Sequence, residues 1–310
     1  MQDDLIAAFS LDKAPVRGRI VRLGAAALDP ILKRHDYPRP VAMLLGEALT
    51  LAALIGSLLK ADGRLIVQAQ GQGLVPLLVA EHATGGGLRG YARLAEGAAE
   101  KLAGANRIAP ADLLGAGQML ITLDRGDAQA MYQGVAPLEG DTLARCAESY
   151  FRTSEQTETN IHLAVGEVSS RDAPPYWRAG GLLMQRIAAD AARGDVVEDW
   201  SRASMHFATL TDEEVLDPDL PADRLLYRLF HEEGARMEAP APLADICTCN
   251  QERLTKVMKQ FPASEVRELV EPDGKLHARC QFCAREYKID PSDVLAASSR
   301  PAEGRAGTQE

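Results

Sequence analysis

The chain changes period along its length, and each change marks an element. Residues 41–59 are almost continuously apolar, broken only by Gly46, Glu47, Thr50, Gly56 and Ser57. Such a length raises the question of a membrane span, but a carboxylate near the centre of a spanning helix is costly. The run therefore predicts a helix buried in a protein core. Past Lys60 the text shortens into apolar or alternating segments at 64–70, 74–80 and 88–94. Gly71-Gln72-Gly73 and Gly85-Gly86-Gly87 part them, which is the spacing of an antiparallel meander. Segments 118–123 and 129–135 repeat the theme across Asp124-Arg125-Gly126. A helix is predicted over 141–151, a strand over 161–168 and a helix over 179–192. The fold class is α+β, with residues 1–192 forming an N-terminal core of antiparallel sheets and helices.

Residues 193–239 differ in character. Between 195 and 239 stand 12 Asp or Glu against 4 Arg, a local net of −8 within a chain total of −10. The same stretch carries Trp200, Phe207, Leu210, Leu225, Leu226, Leu229 and Phe230. Thr211-Asp212-Glu213-Glu214 fits a capping box, and Pro218 stops the helix it starts. Pro221 suits the first turn of a second helix, on which Leu225, Leu226, Leu229 and Phe230 share one face. Gly234 can end it. This is an acidic helical linker that needs a surface to lie on while its own charges repel, so its folding is expected to be metastable.

Residues 240–296 form a small cysteine-bearing module, followed by a tail, 297–310, whose Ser, Pro, Gly and charged residues predict disorder. Cys247-Thr248-Cys249 leads into a helix over 251–260. Pro272-Asp273-Gly274 makes a turn, and strands are predicted at 276–279 and 285–289 around the knuckle Cys280-Gln281-Phe282-Cys283. Asp290-Pro291 starts a last helical turn. Four of the five cysteines thus cluster at one end of the chain. A C-x-C and a C-x-x-C supply two thiolates each, the donor set of a closed tetrahedral zinc site with one Zn2+ per chain and no open position for hydrolysis. The module is too small to hold together on apolar burial alone, so its folding is expected to depend on the metal. Oxidation within the C-x-C would close a small strained ring, and strained disulfides are the more easily reduced. Thiolates are also what oxidants attack, with Lys256, Arg279 and Arg285 close by. Loss of the ligands would melt the module, deprive the linker of its neighbour and expose the apolar helix faces to other apolar surfaces.

Charge and termini narrow the class further. A formal charge of −10 and a pI near 5.2 give no basic footprint for nucleic acid. Met1-Gln2-Asp3-Asp4 is acidic where an export signal begins with positive charge, so cytoplasmic residence is expected and clustered cysteines read as metal or redox chemistry.

The pattern Cys247-x-Cys249 … Cys280-x-x-Cys283 resembles, in both spacings and in insert length, the zinc motif of the 33 kDa redox-regulated heat-shock chaperonins of bacteria. Tyr150-Phe151-Arg152-Thr153-Ser154-Glu155-Gln156 with Thr159 resembles that family's core signature. Gly180-Gly181-Leu182 with Gln185, and Arg228-Leu229-Phe230-His231-Glu232-Glu233, are similar too, and the resemblance runs from about residue 5 to 295. It implies an ATP-independent holdase, not an enzyme, inactive while reduced and zinc-bound. It further implies disulfides Cys247–Cys249 and Cys280–Cys283 on oxidation, dimerisation of the active form, capture of unfolded client proteins and their transfer to ATP-driven foldases. The client surface is expected on Leu225, Leu226, Leu229 and Phe230.

Other features have plainer readings. Cys146 lies outside the metal spacing and suits a buried core position. Ser10-Leu11-Asp12-Lys13 matches an acyl-transfer pattern without its partner motifs. Gly85-Gly86-Gly87 lacks the Lys-Ser/Thr of a phosphate loop and reads as a hairpin turn. His277 adds nothing to a shell already completed by four thiolates, His231 reads as a linker surface residue, and Glu155 reads as structural. Two other classes remain open on the residues. One is a zinc-ribbon-like module docking on RNA or the ribosome, for which the chain offers no aromatic stacking platform. The other is a thiol–disulfide oxidoreductase using Cys280 and Cys283, a motif that usually opens a helix and here sits in a knuckle.

Overall fold

The computed structural model describes residues 3–59, 62–126, 131–169, 174–187 and 196–295. The chain separates into two units, residues 1–246 and 247–310.

The first unit is built around one helix. β1 (Leu5–Leu11) and β2 (Val16–Leu23) form an opening hairpin, followed by α1 (Asp29–Lys33) and α2 (Arg39–Gly56). α2 starts on Pro40, whose fixed φ suits a first turn. It is the apolar run of the sequence, and from Pro40 to Gly56 every residue is buried. It is also the one described helix long and apolar enough to cross a membrane, but its apolar surface is spent within the protein. Glu47 and Thr50 are buried with it, the Thr50 hydroxyl donating to the Gly46 carbonyl at 2.8 Å.

β3 (Arg64–Gly71), β4 (Leu77–Ala83) and β5 (Gly87–Arg93) make the expected meander. The short helices α3 (Ala98–Leu102) and α4 (Pro110–Leu114) precede β6 (Gly117–Asp124) and β7 (Tyr132–Pro137). β6 returns to pair with β3 rather than with β5, so the sheet runs β5-β4-β3-β6-β7. Gly85-Gly86 is the β4–β5 hairpin turn, with φ of 91° and 88° that a side chain would resist. α5 (Leu143–Thr153) begins at Thr142, whose side chain accepts from the Arg145 amide. β8 (Thr159–Val168) follows.

The helix expected over 179–192 is instead a strand as far as it is described: β9 (Tyr176–Arg186) lies between β2 and β8 in the other sheet. Residues 188–192 of that expectation, 129–130 of the strand expected over 129–135, 193–195 of the linker and the tail 297–310 lie outside the described residues. The reason for the difference is burial on both faces. Ala179 and Leu183 face the cluster around α2, while Leu182 and Met184 face a second cluster. A continuous apolar run carries no period-2 signal. Gly180-Gly181 lets both layers close in. A methyl at Gly180 would sit 2.7 Å from Val215 Cγ1, and one at Gly181 2.9 Å from Thr50 Cγ2.

The second layer on that sheet is the acidic segment. α6 (Val196–Phe207), α7 (Asp212–Leu216) and α8 (Ala222–Phe230) pack Phe207, Leu210, Val215, Leu225, Leu226, Leu229 and Phe230 against Leu5, Ala7, Phe9, Ile20, Leu182 and Met184. The capping box at Thr211 and Glu214 is present. β10 (Ala235–Met237) and β11 (Ala241–Pro242) then pair with β1, and β12 (Ala244–Asp245) pairs in parallel with β5.

The second unit contains α9 (Gln251–Met258), α10 (Ala263–Glu268), β13 (Leu276–Arg279), β14 (Glu286–Ile289) and α11 (Pro291–Leu295). Its buried apolar core is Val266, Leu276, Ile289 and Val294, with Leu254, Met258, Val270 and Tyr287 half-buried beside it.

Candidate metal centre and linker contacts

The two cysteine pairs reach one point by different local routes. Cys247 and Cys249 lie on an extended segment stopped by Asn250, which caps α9 by accepting from the Arg253 amide at 2.8 Å. Arg253 also donates to the Thr248 carbonyl at 3.1 Å, which holds the segment between the two cysteines. Cys280 ends β13. The knuckle that follows is closed by Ala284 N–H donating to the Cys280 carbonyl at 2.8 Å and Cys280 N–H donating to the Arg285 carbonyl at 2.9 Å. Ala284 takes φ of 56° to complete it.

All four Sγ atoms lie within 4.8 Å of one another. Cys247 Sγ is 3.8 Å from Cys280 Sγ, and Cys249 Sγ is 3.2 Å from Cys283 Sγ. A tetrahedral ion with metal–sulfur bonds of about 2.3 Å has sulfur–sulfur edges of about 3.8 Å. The donor set and its spacing therefore fit a four-thiolate ion. None of the five cysteines is in a disulfide.

The sulfurs share their protons unequally. Burial pushes Cys249 up, but hydrogen bonds from Tyr287 and the neighbouring thiols outweigh it and bring Cys249 down to about 7. Cys283 goes the other way, up to about 12, chiefly through burial and through its bond to Cys249. One thiolate is thus favoured before any ion is bound. The Tyr287 hydroxyl, 3.1 Å from Cys249 Sγ, is the neighbour that the sequence reading missed. His277 stands apart and bonds Asp273 at 2.9 Å. Cys146 is buried in the first unit, 3.4 Å from the Glu139 carbonyl, and burial raises its thiol. Glu155 accepts from the hydroxyls of Tyr150 at 2.7 Å and Tyr132 at 3.0 Å.

Leu225, Leu226, Leu229 and Phe230 occupy one face of α8, none more than 2% exposed, with Phe230 stacked 6.0 Å from Phe9. Two buried arginines of the sheet hold this segment by its backbone. Arg22 donates to the carbonyls of Asp217 at 3.0 Å and Leu220 at 2.8 Å, and Arg178 to that of Leu216 at 2.7 Å and to Asp3 at 2.5 Å. No sequence signal announces them, because the partners stand 38 to 198 residues away.

Residues 4–290 match the family described as Hsp33 protein. The chain belongs to the Hsp33 family. A 33 kDa chaperonin of Caulobacter vibrioides is 51% identical over 290 residues, covering 93% of this chain and 95% of that one. The 33 kDa chaperonin of an Escherichia coli strain is 35% identical over 297 residues, 94% of each chain. Among solved structures, the 33 kDa chaperonin of Thermotoga maritima superposes with a TM-score of 0.76 at 21% identity, over 94% of this chain and 97% of that one. That likeness is one of fold, a mixture of antiparallel sheets and helices. The names of these relatives are those of chaperonins, not of enzymes.

Proposed function

We propose that this chain is a heat-shock chaperone of the holdase kind, switched by oxidation of Cys247, Cys249, Cys280 and Cys283. The observation that carries the reading is the convergence of four sulfurs, two from each end of a module too small to fold on its apolar core. Zinc, when bound, keeps all four sulfurs as thiolates and ties the two halves of the module together. The nearest approaches, Cys247 to Cys280 and Cys249 to Cys283, run between the motifs. The proposed disulfides, Cys247–Cys249 and Cys280–Cys283, lie within them, so forming them takes the two halves apart. Each pair of thiols gives two electrons and two protons as its disulfide forms, and one hydrogen peroxide becomes two waters.

The linker, residues 193–239, is the proposed responder. Its acidic residues repel one another, while its apolar face, the Arg22 and Arg178 contacts, the Asp212–His162 bond and the β10–β1 pairing hold it to the core. Released, it bares Leu225, Leu226, Leu229 and Phe230 together with the sheet face beneath, a contiguous apolar surface of the kind that captures unfolded clients. The proposal includes cytoplasmic residence, dimerisation of the oxidised form and ATP-independent holding followed by transfer to ATP-driven foldases. It includes no catalysis and no nucleic-acid or membrane partner.

The test follows zinc and client together in one sample treated with peroxide at mild heat. A chelating dye reports the metal, and light scattering reports a thermally unfolding client. About one zinc per chain should leave as aggregation is suppressed, and a thiol reductant with zinc should reverse both. Zinc that stays bound, or leaves without any gain in client protection, would make the metal structural and defeat the switch.

A further inference from the structure

Beneath the linker lies a cavity of about 530 Å3 that the redox reading leaves without a role. Glu47 of α2 forms part of its wall, and the linker contributes Ser204, Phe207, Ala208 and Asp212. The other acids that line it are engaged. Glu148 of α5 accepts from the Ile161 amide at 2.8 Å and from Arg145 at 3.3 Å. Asp212 takes His162 Nε2 of β8 at 3.0 Å and Arg107 at 3.5 Å. The Glu47 side chain is about 9% exposed, and no described residue hydrogen-bonds or ion-pairs with its carboxyl. The lining sets three carboxyls, Glu47, Glu148 and Asp212, against two guanidiniums, Arg107 and Arg145. What the cavity lacks is a single positive charge.

We propose that Glu47 is a proton-binding site closed by the linker: the docked linker holds this carboxyl protonated, and its release gives the proton up. The inference rests on the reading that the linker leaves the core. Burial pushes Glu47 up to about 7 from an ordinary 4.5; Arg107 opposes the rise and the Asp212 carboxylate adds to it. When the linker leaves, water reaches Glu47 and Asp212 departs with α7, so the carboxyl falls back toward its ordinary value. The docked state is the one with the raised value. Its advantage is whole below the ordinary value and is lost as pH rises toward 7, by at most about tenfold for each pH unit. Asp212, held down by the His162 hydrogen bond, acts in the opposite sense, but only below its ordinary 3.8. Across the neutral range the linker is therefore tighter in mild acid and looser on the alkaline side, before any cysteine reacts.

Hydrogen exchange of residues 196–216 in the reduced, zinc-loaded full chain reads this directly, with labelling times scaled for intrinsic exchange between pH 5.5 and 7.5. The opening equilibrium should rise between about tenfold and a hundredfold across that range in the parent. It should be flat in Glu47→Gln, and flat again in Glu47→Met, a second neutral side chain of similar length. His162→Gln should keep the slope. A flat parent, or a slope that survives in both Glu47 variants, overturns the proposal, as does a slope lost only in His162→Gln, which would place the proton on the histidine. The oxidised protein separates the two readings. A linker that opens on oxidation, with no pH slope when reduced, removes the proton site and leaves the switch standing. A linker still protected after oxidation removes both.

Discussion

Arg22 is a residue on which a whole segment depends. It is 1% exposed, and burial draws its guanidinium down to about 10, which leaves it charged at neutral pH. Its strongest acceptors are the linker carbonyls of Asp217 and Leu220. Replacing it by Met keeps about the same volume and removes the charge, but leaves two part-buried carbonyls without their donor, each at about 1–3 kcal/mol. Arg22→Met should therefore loosen the linker of the reduced protein by about 2–6 kcal/mol in total. Faster exchange over 212–220, without change over 39–56, would show it. Lys should not rescue, since one ammonium cannot span two diverging carbonyls as a guanidinium fork does. Exchange over 212–220 equal to the parent's would mean that Arg178 and apolar packing suffice. At this scale the cysteines were legible in the sequence, because C-x-C and C-x-x-C spacing is itself the chemistry. Glu47 stood out as a charge in an apolar run, but its cavity did not, since the walls come from segments as far apart as residues 47 and 212.

Among the elements, α8 and α7 were legible because their signals are local: a 3.6-period apolar face, and a Thr-x-x-Glu box that caps within three residues. β9 was not, because a strand covered on both faces loses its alternation, and β1 and β2 went unread beside it. α10 was missed as well, its single buried Val266 leaving no period to find. The buried face of α8 carries a prediction. An Asp at 226 or 230 would put an unpaired carboxylate into the layer between α8 and the β1–β2 hairpin, a cost of several kcal/mol that docking of the linker cannot meet. Leu226→Asp with Phe230→Asp should release the linker in the reduced protein, seen as apolar-dye binding and lost protection over 196–230, with zinc content unchanged. After oxidation the same variant should hold client less well, because the exposed helix face has lost its apolar residues. Client capture equal to the parent's would move the client surface onto the sheet around Phe9, Ile20 and Leu182.

Across the whole molecule the two units are stabilised by different means. In residues 1–246, α2 is buried along its length, and its cluster joins residues of both large sheets. Among the described residues of the second unit the buried apolar core is four aliphatic side chains. So few buried side chains are too small a core to hold a module of this size together without a further staple. Structural zinc supplies about 10–16 kcal/mol in comparable small modules. Chelation of the reduced full chain should therefore unfold the second unit and leave the α2 core of the first folded. Exchange protection should vanish over 250–295 while 39–56 and 117–124 keep theirs, and added zinc should restore it. A second unit that stays protected after the metal is gone would mean that its apolar core and hydrogen bonds suffice. Oxidation of the four cysteines would then have no unfolding to drive, and the switch would lose the step that connects thiol chemistry to the linker.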